Sequence, residues 1–329
     1  MNRHLDDYLT QMEFGDIQAF EGMGVLPVFR KGYDALDHLT LKEALEEGVL
    51  LISEVSHAGS VPELKAMNRG SSPVLILDGE ELAGAKQNRV LNTTILIKGY
   101  SEIVIPVSCT EQGRWTHQSE HFSDSGVMMA SFLRSEKNRS VSESLHCQRG
   151  YRSDQAMVWE GIEEIHRAGQ TSSRTGAMRD AYEQRSSEIE EYLGAFPCHE
   201  SQCGMLAFVN GAVAGLDIIP CLPAYRSLHR KLLTSYAMEA QMQGKDGDKQ
   251  PGAELGLKFL KKISVSSESR FPSAGDGDDY RYAAPGIVGT ALIANEKLVH
   301  CAFFPSKNRA PVERMSSVSR RRFFREHSE

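Results

Sequence analysis

Apolar and polar positions along the chain separate into short strand-like runs and amphipathic helical stripes. Apolar β-type runs stand at Gly24–Arg30, Val49–Val55, Val74–Leu77, Val90–Ile97 and Ile103–Val107, bounded by turn-forming residues that predict strands. Thr40 is placed to cap a short helix, LKEALEEG, that closes at Gly48. Met157 or Val158, Ile162 and Ile165 recur at helical spacing before Gly169, and Tyr182, Ile189, Leu193 and Phe196 make a second stripe after Thr175. Asn210-Gly211, between Cys203–Val209 and Ala212–Ile219, predicts a two-residue hairpin. Pro223 suits the first turn of a helix whose buried side carries Tyr225, Leu228, Leu232, Tyr236 and Ala240. A hydrophilic connector at 244–252 leads to a short helix ending near Lys262, and a last hairpin joins Ile287–Ala294 to Leu298–Phe304.

Three stretches show no such period. Residues 1–13 read as a loosely held polar end, 116–152 as an irregular covering loop, and Phe271–Tyr282 as a polar loop. The expected fold is α+β, with mostly antiparallel sheets and several hairpins packed with three to five helices. One domain is expected over 14–305, with a β-rich half (14–135) and a mixed helix and hairpin half (150–305), followed by a basic flexible tail (306–329).

Composition narrows the partners. A net charge of -7 argues against broad nucleic-acid binding, which needs clustered positive charge. The arginines after Pro305 (Arg309, Arg314, Arg320, Arg321, Arg322 and Arg325) are a local exception. The start, MNRHLDDYLTQ, lacks the apolar core of a signal peptide, and no run reaches the roughly 18 apolar residues of a membrane span. Six cysteines in 329 residues do not form a disulfide framework. A cytoplasmic protein with reduced thiols and no membrane contact is the expectation.

The chemistry concentrates between Pro73 and Trp115. A first polar group, Asp78, Glu80, Glu81, Lys86, Gln87, Asn88 and Arg89, lies among apolar strands, and a second, Cys109, Glu111, Arg114 and Trp115, follows the last of them. If Ile97 pairs with Glu102 in an antiparallel ribbon, Val90 falls opposite Cys109 and Asn88 opposite Glu111, so the two groups meet at one end. Glu80 and Glu81 point to opposite faces of a strand. With Glu111 either could act as general acid or base, or hold a divalent cation through oxygen; a salt-bridge network with Lys86 and Arg89 is the alternative. Cys109 shares strand parity with Ile103, Ile105 and Val107, which predicts a buried thiol, and a nucleophile only if Arg114 lowers its pKa. Lys86, Arg89 and Arg114 suit anionic groups, Gln87 and Asn88 suit a base edge or ribose, and Trp115 offers a stacking face. Loop solvation and packing are the corresponding structural roles. His117 with His121, and Cys198-His199 with Cys203, are poor metal motifs. Gly169–Gly176 lacks the lysine of a P-loop.

The words GSVPEL (Gly59–Leu64), LDGEELAGAKQNR (Leu77–Arg89) and IPVSCTEQGRW (Ile105–Trp115) resemble the domain family associated with ADP-ribosylglycohydrolases and rhodanese-type phosphatases. The likeness is closest over roughly 50–115 and extends to about residue 305. It implies gene association with ADP-ribose and phosphate chemistry, without an activity or assigned catalytic residues. Together these readings lead to a protein that binds a small phosphorylated nucleoside-type ligand, related to ADP-ribose or NAD, and hydrolyses or transfers it. The alternative is a non-enzymatic ligand sensor or a scaffold for a protein partner.

Overall fold

The computed structural model describes residues 1–32, 34–56, 62–116, 118–244 and 252–306. Readings made on His57, His117, most of the 244–252 connector and the arginine tail lie outside these residues.

The chain opens with α1 (Arg3–Thr10), β1 (Met12–Phe14), β2 (Gln18–Phe20) and β3 (Met23–Arg30). This opening segment is ordered, because Leu5 and Tyr8 on α1 are buried and Asn2 caps the helix at the His4 N–H. β4 (Leu39–Thr40) enters α2 (Leu41–Glu46), where Thr40 and Glu43 make a reciprocal capping box. Then come β5 (Leu50–Glu54), β6 (Glu63–Asn68), β7 (Val74–Ile76), β8 (Glu80–Gly84), β9 (Arg89–Leu91) and β10 (Ile95–Ile97). The run Val90–Ile97 is therefore two strands, not one. β11 (Ser101–Cys109), β12 (Phe122–Met128) and α3 (Ser131–His146) follow, so the stretch expected as a covering loop contains a strand and a four-turn helix.

α4 (Gln155–Ala168), α5 (Met178–Gln184) and α6 (Ser186–Ala195) precede the hairpin of β13 (Gly204–Val209) and β14 (Ala212–Ile218). Its Asn210-Gly211 turn has both residues at positive φ, as a type I′ turn requires. α7 (Leu222–Gln243) and α8 (Ala253–Ser264) lead to β15 (Ser267–Pro272), β16 (Asp278–Ala284), β17 (Ile287–Ala294) and β18 (Lys297–Pro305). Phe271–Tyr282 is thus the middle of the β15–β16 hairpin rather than a loop. The fold is α+β as expected, but eight helices stand among the described residues against the three to five foreseen.

Nine strands form the largest sheet, ordered β1-β3-β13-β14-β18-β17-β16-β15, with β2 also on β3. Alternate residues of its central strands enter two separate cores. Met205 and Ala207 face the core shared with α3 and α7, while Leu206 and Phe208 face the one shared with α1 and α8. Burial on both sides explains why these strands read as unbroken apolar runs. A six-stranded sheet, β12-β8-β9-β11-β6-β5, and a three-stranded one, β10-β7-β4, enclose a third core. All pairings are antiparallel except that of β4 with β7. No helix among the described residues is long and apolar enough to cross a membrane.

Candidate functional site

The β7–β8 turn is built on Asp78-Gly79, and Gly79 has φ +92°, where a Cβ would also press 2.9 Å from the Arg134 side chain. The turn aims Glu80 back at the backbone, whose Leu77 N–H donates to its carboxylate at 2.6 Å. From here β8 and β9 carry the first polar group to the second, on β11. The ribbon is one residue out of the register expected: Arg89, not Val90, lies opposite Cys109. Only β9 takes part, because Ile95–Ile97 pairs instead with β7, and the first part of β11 pairs with β6.

Even so, the two groups meet. Arg114 donates to Glu111 at 2.6 Å and to the Asn88 side-chain oxygen at 3.1 Å, and the Asn88 N–H donates to Glu111 at 3.2 Å. Arg114 also bonds the Ala85 and Thr116 carbonyls. Burial would raise the Glu111 carboxyl, but Arg114, the Thr175 hydroxyl at 2.9 Å and the Asn88 N–H together hold it below its ordinary range. Arg89 donates to Gln87 at 2.9 Å and to the Cys109 sulfur at 3.0 Å. Cys109 is buried, and burial pushes its thiol up despite Arg89. That disfavours the thiolate a nucleophile needs. Lys86, Gln87, Asn88, Arg89, Glu111 and Arg114 are all buried, whereas Trp115 is half-exposed above Lys86 and Arg89.

Glu80 and Glu81 are fully buried and have different surroundings. Glu80 accepts from Lys231 of α7 at 2.7 Å, and Lys231 also bonds both oxygens of Asp124. Two carboxylates share one ammonium. Burial pushes the deeper one, Glu80, up, while for Lys231 burial is outweighed by the pair, which hold its proton more firmly. Glu81 has no such cation in contact. Its Oε1 accepts from Thr110 at 2.6 Å, and its Oε2 has no hydrogen-bond partner. Burial raises its pKa to about 7, against the hydroxyls of Thr110 and Ser125 and the charge of Arg179.

Ser125, Asp124, Arg179 and Lys231 all line one cleft of about 730 Å³, within the usual range for small-molecule sites. It lies along β12, an edge strand, and is walled by α2, α5, α6 and α7. A break in register between Asp124 and Met128, with Gly126 at φ +76°, bends β12 here. Val127, Tyr182, Ile189 and Leu193 give the cleft an apolar wall. Around the rim, Arg179 pairs with Glu183 and Arg230 with Glu190, both at 2.6 Å, and Lys42 with Glu46 at 3.8 Å.

None of the ten residues singled out in the sequence lines this cleft or the three others of note. Glu80 stands directly behind it, bonded to the cleft-lining Lys231, and Glu81 lies within the influence of the cleft-lining Ser125 and Arg179. The cleft-lining Lys42, Asp124, Ser125, Arg179, Arg230 and Lys231 escaped the sequence reading, since they come from four separate elements with no shared motif. Glu80 and Glu111 engage different cations, and no group of three or more His, Cys, Asp or Glu among the described residues is placed to hold a metal ion.

A second buried polar cluster was also missed. Arg134 of α3 grips Asp217 with two bonds of 2.7 and 3.0 Å, and Tyr236 and His300 also contact that carboxylate. Lys137, one turn on, contacts Asp78 and the Leu91 carbonyl. Thr94 links the two, 2.8 Å from His300 and accepting from the Asp78 N–H. None of these four clefts is lined by Arg134 or Asp217, and the cluster joins the layers through its own bonds.

Residues 11–304 match the family described as the ARG and Rhodanese-Phosphatase-superfamily-associated Protein domain. No curated protein and no solved structure matches the chain.

Proposed function

We propose, for a chain that belongs to the ARG and Rhodanese-Phosphatase-superfamily-associated Protein family, that the cleft along β12 binds a phosphorylated nucleoside-type ligand and that Glu81 moves a proton during its hydrolysis or transfer. The observation that carries this reading is Glu81 itself. A fully buried carboxyl with a pKa of about 7 and one unpartnered oxygen, next to a cleft-lining serine, is poised for acid–base work at neutral pH. Ser125 would relay the proton between Glu81 and the ligand.

The rest of the cleft fits the ligand class. Its rim cations sit in exposed ion pairs, each worth only about 0–1 kcal/mol, so a phosphate can take Arg179 or Arg230 from its carboxylate at small cost. The apolar wall suits a nucleoside. The family's association with ADP-ribose and phosphate chemistry points to ADP-ribose or an NAD-derived molecule.

A panel of ADP-ribose, NAD, nucleotides and inorganic phosphate, followed by thermal shift and product analysis, tests this. A ligand at 100 times its dissociation constant should add about 2.7 kcal/mol of stability. Glu81→Gln should abolish turnover and leave that shift in place. A shift without turnover in the unaltered protein selects the sensor reading, which the closed Glu80–Lys231–Asp124 cluster favours. No shift with any phosphorylated compound refutes both.

A further inference from the structure

Among the buried charged side chains that leave hydrogen-bonding capacity unused, Arg89 and Glu54 do so facing each other, away from the cleft. Arg89, on β9, is fully buried, and its Nε and Nη2 have no partner. Glu54, at the end of β5, has a side chain only 6 % exposed, and neither carboxylate oxygen has a hydrogen-bond partner. Nη2 and Oε1 approach to 4.0 Å, close enough to attract and too far for a hydrogen bond. Buried polar groups are nearly always satisfied, so a facing donor and acceptor both left open call for something that completes them.

Trp115 lies over the Arg89 member of this pair. Its ring centre lies 5.8 Å from the Arg89 guanidinium carbon and 5.3 Å from Lys86 Nζ, and the residue is 46 % exposed. It belongs to the irregular segment between β11 and β12, so the ring can turn without disturbing a strand pairing.

We propose that Arg89, Glu54 and Trp115 form a second recognition site, for a flat aromatic ring bearing an acceptor and an N–H donor on neighbouring atoms. A primary carboxamide and the amino–imine edge of an aminopurine both present that pair. The acceptor accepts a hydrogen bond from the Arg89 guanidinium, the amino group donates to Glu54, and the ring stacks on Trp115. A carboxylate offers only acceptors and meets Glu54 with like charge, so the site rejects it. None of the three residues lines the β12 cleft, and the two sites stand or fall separately.

The chain has two tryptophans, so Trp159→Phe leaves Trp115 as the only indole reporter. Titrating that protein with benzamide, adenine and benzoate should give saturable fluorescence quenching with benzamide or adenine, and about tenfold weaker binding of benzoate. Preference between the first two tells the carboxamide from the purine edge. Glu54→Gln supplies a donor where only acceptors stood, and should narrow the gap by admitting benzoate. Trp115→Ala, at a half-exposed position, should lose the probe's signal in ligand-observed NMR. The proposal is overturned if neither benzamide nor adenine saturates, if benzoate binds the Glu54 protein as well as benzamide does, or if Trp115→Ala binds unchanged.

Discussion

Asp217 and Glu81 are both fully buried carboxyls flanked by hydroxyl groups, yet they titrate in opposite directions. Asp217 is met head-on by the fork of Arg134 and by His300, and these outweigh burial and drive its carboxyl far below its ordinary range. Glu81 has the Thr110 hydroxyl in contact and Arg179 acting only from further off, so burial prevails and lifts it to about 7. Burial alone therefore does not mark a reactive group. What separates the two is whether a cation was built in beside the carboxyl, and only the group without one lies behind a cleft.

The comparison breaks most easily at Asp217. Asp217→Ala leaves Arg134 buried and uncompensated and should cost about 3–5 kcal/mol in urea denaturation; a cost below about 1 kcal/mol would show that the Arg134 cluster is not what joins the layers. Because the folded pKa lies below the unfolded one, the stability Asp217 contributes is complete above the unfolded value of about 3.9 and drains away as pH falls beneath it. The acid limb of the unfolding curve should flatten in the variant.

Glu81 should show the reverse slope. Its folded pKa is raised, so the native state holds a proton that the unfolded chain releases, and stability falls as pH rises from about 4.5 to about 7. Over that range the loss amounts to about 3 kcal/mol. Glu81→Gln should remove this loss and be more stable than the unaltered protein at pH 8 than at pH 4.5. Parallel pH profiles would mean that Glu81 ionises normally.

The smallest effect belongs to Arg179, which acts on Glu81 from the rim and is itself paired with Glu183. Arg179→Ala should leave stability within about 0.5 kcal/mol at pH 6, as exposed ion pairs do. The Glu81 carboxyl signal in NMR should nonetheless titrate at higher pH, since a nearby positive charge is gone. A downward movement would mean that Arg179 does not favour the Glu81 carboxylate.

Local signals in the sequence carried over faithfully to the fold. The Thr40 cap, the Asn210-Gly211 turn and the helix behind Pro223 depend on neighbours a few residues away, and each is where the pattern puts it. α3 shows the opposite case. Its inward positions include Arg134, Lys137 and Asn138 beside Leu133, Val141 and Leu145, so no apolar stripe announces a helix. Those polar residues are buried because Asp217 and Arg281, on strands, and Asp78, in the β7–β8 turn, reach them from 59 to 143 residues away in sequence. The ribbon register failed for a related reason: Ile95–Ile97 has the apolar character to continue β9, but β7 takes it. In the candidate site the sequence exposed Glu80 and Glu81 through their crowded polar context. It gave no hint of Arg179, Arg230 or Lys231, because a helix pattern marks the buried stripe and not which of its polar residues turn toward a cleft.

The order of strands in the nine-stranded sheet bears on how the protein is made. β3 pairs with β13, Val28 opposite Gly204, so the partner emerges about 175 residues later. At synthesis rates of about 5–20 residues per second that interval is roughly 10–35 s. During it the apolar edge of β3 waits on the ribosome with only β1 and β2 beside it, a window in which a chaperone or a neighbouring nascent chain can reach it first.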